Sequence, residues 1–107
     1  MFKVASIVMA ADGDPEKHRA TIKTSTLELT VIAIKLLDFD QATEVAKDMV
    51  QNHGVQSIYL CAGFSSQAVG RIADAVGDKV AVQVARGDSP TTAMVGETLT
   101  KEGWFNN

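Results

Sequence analysis

Much that would mark a function is scarce in this sequence. Its single cysteine, Cys61, cannot build an internal disulfide framework, and a reducing cytoplasm is the simplest setting for such a chain. Only three arginines occur, Arg19, Arg71 and Arg86, and the net charge is −3. No basic stripe interleaved with aromatics is present, so a nucleic-acid partner is not expected. No apolar run is long enough to span a bilayer, and the longest, LTVIAIKLL, is interrupted by Lys35. The N-terminal MFKVASIVMAADGD has one lysine, a short apolar run and acidic residues where a signal peptide would be cleaved, and reads as a first strand. There is no Walker loop and no G-x-G-x-x-G fingerprint. No His/Cys/Asp/Glu group has zinc spacing. Neither a cofactor nor a metal is therefore expected.

What remains is an ordinary globular composition. The 107 residues are 46% apolar and 21% charged, which fits one domain spanning 1–107. KVASIVMA, residues 3–10, is apolar at alternating positions of both faces, the pattern of a strand covered on both sides. Asp14 before Pro15 has the form of a helix cap followed by a first-turn proline and predicts a short helix over about 15–23. LELTVIAIKLL, residues 27–37, reads as the longest strand.

Asp38 then caps a helix, with Gln41 placed as in a capping box. Ala42, Val45, Ala46, Met49 and Val50 form its apolar stripe, and Gly54 ends it. VQSIYLCA is a further strand. Ser65 or Ser66 caps a helix whose inner stripe is Ala68, Val69, Ile72, Ala73 and Val76. KVAVQVA is the last strand, and Ser89–Pro90 opens a last helix over about 90–101. The alternation from residue 27 onward predicts an α/β fold: a single small domain with about four strands, largely parallel, flanked by helices. The direction of the first strand is left open.

In such a sheet, ligands gather beyond the carboxyl ends of the strands. AADGD, CAGFSS and ARGDSP all fall there. Gly63 permits close backbone approach, Phe64 lies in the same corner, and Ser65 and Ser66 stand at a helix N-terminus whose free amides attract negative charge. Arg86 would close a clamp on a carboxylate or phosphate, and Asp12 is a further polar contact. The site reading is therefore a small anionic ligand held by Gly63, Phe64, Ser65, Ser66, Arg86 and Asp12. The alternative is that Ser66 only caps and Gly63 only turns the chain.

Cys61 or His18 could instead carry nucleophile or proton chemistry in the same pocket, which would need His18 beside Cys61. A buried structural cysteine and a surface histidine are the competing assignments. Asp12 and Asp14 could hold a metal but read more simply as turn and cap residues. RGDSP matches an adhesion tripeptide in letters alone.

The segments MFKVASIVMAADGDPEKHRATIKT, ELTVIAI, IYLCAGF and IADAVGDKVAVQVAR, over nearly the whole chain, resemble a small family of short prokaryotic proteins classed as a domain of unknown function. D-P-E-K-H-R (14–19) and C-A-G-F (61–64) are the most specific pieces. The resemblance implies a small α/β domain and no established activity. A homodimer is also expected, because the long second strand and the terminal Trp104–Phe105 carry more apolar surface than a few short helices cover. A self-associating scaffold without a ligand is the remaining reading.

Overall fold

The alternation of strands and helices read from the sequence is present, with one added strand. The computed structural model describes residues 1–87 and 90–106. In chain order the elements are β1 (Phe2–Ala10), β2 (Arg19–Lys23), β3 (Leu27–Lys35), α1 (Phe39–His53), β4 (Ser57–Leu60), α2 (Ser66–Val76), β5 (Ala81–Val84) and α3 (Thr92–Lys101). The strands make one five-stranded sheet in the order β2-β3-β1-β4-β5. β1 is parallel to β3 and β4, and β4 to β5, while β2 is antiparallel to β3. Asp88, Ser89 and Asn107 lie outside the described residues, and with them the Ser89 cap and the RGD letters.

The short helix expected over 15–23 is instead a turn followed by β2. Asp14 does start a helical turn: its Oδ1 accepts from the Glu16 amide at 3.0 Å, and its carbonyl accepts from the Lys17 and His18 amides. The turn then closes on itself. His18 Nδ1 accepts from the Asp14 amide at 2.9 Å, and Arg19 Nε donates to the Pro15 carbonyl at 2.7 Å. From Arg19 the chain pairs with β3, and the Thr21 and Thr30 hydroxyls meet at 2.9 Å. A helix here would have left the outer ladder of the nine-residue β3 unpaired. Gly13 locks the turn to the sheet, since a Cβ at that position would stand 2.1 Å from the Ile34 carbonyl oxygen.

α1 and α2 follow their sequence signals. Asp38 Oδ1 accepts from the Gln41 amide at 2.9 Å. Gln41 does not complete a capping box; its Oε1 accepts from the Lys35 amide at 2.8 Å and ties the helix start to the end of β3. Gly54 ends α1 at φ +70°, a left-handed conformation that costs a side-chain-bearing residue about 1–2 kcal/mol. Ser65 caps α2, its side chain accepting from the Ala68 amide at 3.1 Å.

Both helices cover the same face of the sheet. The crossovers β3–α1–β4 and β4–α2–β5 step in the same direction across the strand order, so a common right-handed sense puts α1 and α2 on one side. β1 reaches β3 through the β2 hairpin, with no helix to cover the other side. The core is accordingly one layer: Ala5, Ile7, Ile32, Ile34, Ile58 and Leu60 from the sheet against Ala42, Val45, Ala46 and Met49 of α1 and Ala68 and Ile72 of α2.

The opposite face is Phe2, Val4, Ser6, Val8 and Ala10 of β1, Leu27, Leu29, Val31, Ala33 and, at its end, Lys35 of β3, Ala20 and Ile22 of β2, Ser57 and Tyr59 of β4, and Ala81 and Gln83 of β5. None of these joins the core cluster under the helices; Val4 and Ser57 are buried among their strand neighbours while Phe2 and Tyr59 stay exposed, so the expectation that β1 is covered on both sides is met by helices on one face only. α3 buries no residue and leaves Met94 and Val95 exposed.

Met49 is buried under α1, so Met49→Ala should lower the unfolding free energy by about 2–5 kcal/mol in urea denaturation; a loss of only a few tenths would mean that α1 presents another stripe. Two glycines should respond with opposite signs. Gly13→Ala forces a methyl onto the Ile34 carbonyl and should destabilise by about 1–3 kcal/mol. Gly96→Ala, with no atom within 4 Å of the new methyl, should stabilise by a few tenths to about 1 kcal/mol. Thermal melts of both variants check the pair.

Candidate site at the carboxyl ends of the parallel strands

Because β1, β3, β4 and β5 point the same way, the segments after them meet at one edge of the sheet. The corner after β4 is the best defined. The Cys61 amide donates to the Ile7 carbonyl at 3.2 Å, which extends the β4–β1 ladder by one residue. The Phe64 amide then donates to the Cys61 carbonyl at 3.2 Å and closes a tight turn. Phe64 is buried, its ring 5.5 Å from that of Phe39, so its side chain belongs to the core between α1 and α2 rather than to a ligand surface. Ser65 is occupied as the cap of α2, and Ser66, the first helical residue, is exposed.

Met9 joins three of the segments at this edge. It is the penultimate residue of β1. Its sulfur accepts from the Leu37 amide at 3.2 Å, and its Cε would lie 2.5 Å from a Cβ on Gly63. Gly63 is therefore a position of close approach, to a methionine whose flexible end can shift. The segment after β5 leans on the same corner: a Cβ on Gly87 would stand 3.1 Å from the Ala62 Cβ. Gly63, Ser65, Ser66 and Arg86 thus lie on two adjoining segments, and the Arg86 residue is exposed.

Asp12 is exposed in a turn that packs toward β3 through Gly13, away from the β4–β5 side. His18 stands farther off. Its carbonyl accepts from the Ala33 amide on the outer side of β3, where β2 begins. Cys61 continues β4, so β3 and β1 lie between them. Three strand spacings put the two backbones about 14 Å apart, beyond direct proton transfer. Cys61 is half-buried and packs against the core. His53 ends α1 at the opposite edge, with Nε2 3.5 Å from Asp48.

The same edge holds a feature the sequence reading passed over. A depression of about 490 Å³ is lined by Lys35, Leu36, Leu37, Asp38, Phe39, Asp40 and Arg71. Arg71 of α2 pairs with Asp40 of α1 across it. Leu37 is exposed and has φ +61°, a non-glycine residue in the left-handed region. Such strain gathers where a turn is tightly determined by its surroundings, and here the amide held by Met9 helps fix it. No periodicity reports a left-handed leucine, and Arg71 falls on the polar side of its helix, so neither stood out. A second depression, about 380 Å³, lies between the 14–16 turn and α1 and is lined by Asp14, Pro15, Glu16, Arg19, Gln41, Glu44, Val45 and Asp48.

No helix among the described residues is long and apolar enough to cross a membrane. No curated protein and no solved structure matches the chain. A family model does, over residues 2–97, from β1 into α3. On that match the chain belongs to a family of unknown function, DUF6506.

Proposed function

We propose that this domain binds a small anionic molecule at the carboxyl-end edge of its parallel strands, in the cytoplasm and as a homodimer. The observation that carries the reading is the packing of Gly87 against Ala62. It sets the segment bearing Arg86 beside the N-terminus of α2. The first turn of that helix has amide donors without intrahelical partners and a partial positive charge, and Ser66 adds an exposed hydroxyl. Exposed Gly63 leaves the backbone of the corner open to approach. A carboxylate or phosphate seated there would meet amides on one side and a guanidinium on the other.

The enzymatic alternative is weaker on the same geometry. Cys61 and His18 stand on opposite sides of β1 and β3, and a thiol without an adjacent base is not an activated nucleophile. The role left to Cys61 is packing.

Inorganic phosphate and succinate are suitable probes, titrated into isotopically labelled protein and followed by amide chemical shifts. Shifts should concentrate at Gly63, Ser66 and Gln67. Arg86→Ala should weaken the better probe by about 10- to 100-fold, the equivalent of a charged hydrogen bond of about 1.5–3 kcal/mol, while Cys61→Ala leaves affinity unchanged. Shifts scattered over the surface, or equal affinity after Arg86→Ala, would remove this site.

A further inference from the structure

The geometry points to the helix-free face of the sheet as the surface on which a second copy of this chain docks, sheet on sheet, to make a four-layer α–β–β–α dimer. The inference rests on the homodimer reading above and deepens it by naming the interface. It starts from composition. Along the whole length of β1 and from Leu27 to Ala33 of β3, this face carries no charged side chain, in a chain that is 21% charged. Charge stands only at the rims of the sheet: Lys35 ends β3 on this face, and on the covered face Glu28 lies between Lys3 and Lys23. Depletion of charge is the compositional mark of an interface centre.

Size gives the second argument. Five strands spaced about 4.8 Å apart make a face about 24 Å wide, and β1 and β3 run about 30 Å along it. Allowing for the shorter strands, the projected area is roughly 500 Å² on each copy, about 1,000 Å² over the pair, which reaches the lower bound for a specific interface. Phe2, Ile22 and Tyr59 stand on this face with 45%, 58% and 39% of their surface exposed. They provide the large apolar and aromatic groups that anchor such contacts.

A second copy is the occupant that this surface fits. Apart from Lys35 at its end, the face is uncharged and built of paired strands, and an isologous two-fold contact asks a surface only to complement itself. Two such faces pack about 10 Å apart with their side chains interleaved. β1 and β3 are then covered on both sides, as their two-faced apolar sequences require.

The test is mass by light scattering together with hydroxyl-radical footprinting. At tens of micromolar the native chain should have twice the monomer mass of 11.4 kDa, and Tyr59 should be protected relative to a dilute sample. Val31→Glu, near the middle of the face, should give a folded monomer by circular dichroism, with Tyr59 reactive at every concentration. If that variant does not fold, concentration-dependent protection of Tyr59 in the native chain decides the matter. A native chain that stays at 11.4 kDa up to hundreds of micromolar overturns both the interface and the homodimer, and leaves the face to a different protein. A dimer in which Tyr59 stays reactive, or which survives Val31→Glu, overturns this interface alone.

Discussion

The architecture depends on the handedness of two crossovers. Both step across the sheet in one direction, from β3 past β1 to β4 and from β4 to β5. A right-handed connection in each case puts both helices on the same side. The connection that could have supplied a helix to the other side, between β1 and β3, is spent on a β-hairpin. Much else follows. The helix-packed core forms on one side only, the two longest strands have a largely apolar face without a helix over it, and the carboxyl ends of four strands open onto one edge.

The hairpin is itself a local consequence of D-P-E-K-H-R. Asp14, His18 and Arg19 satisfy one another's surroundings through hydrogen bonds to backbone groups of the same turn. These bonds stop the helix after one turn and return the chain along β3. Gly13 must lack a side chain for that return to lie against the Ile34 carbonyl. The conspicuous six-residue motif thereby has a structural role in the turn. The corner at C-A-G-F is partly of the same kind, with Phe64 in the core and Cys61 against it, yet it leaves Ser66 exposed at the start of α2.

Most elements were legible because burial imprints a period. The stripe from Ala42 to Met49 marked α1, and the β-branched runs marked β1 and β3. β2 was not legible, for a physical reason: all of its residues are exposed, so no face of it is patterned, and its identity is decided by the partner strand. The Asp14–Pro15 signal correctly marked the start of a helical turn but carried no information on where it would stop. The two-faced apolar character of β1 predicts cover on both sides, and the helices of the chain supply it on one. At the candidate site, Gly63, Ser65, Ser66 and Arg86 were placed at one edge by the general rule for parallel sheets. The left-handed Leu37 and the Arg71–Asp40 pair arise from tertiary packing that no spacing encodes.

The central claim is that the sheet of this domain is covered by its own helices on one face and by a second copy on the other. Isotope-filtered nuclear Overhauser spectroscopy on a mixture of labelled and unlabelled chains tests it directly. The account predicts intermolecular contacts from the methyl groups of Val8, Val31 and Ile22 and from the Tyr59 ring, and none from Ile58 or Ile72, which lie under the helices. Intermolecular contacts confined to the helical side, or none at concentrations where the chain is fully assembled, would contradict it.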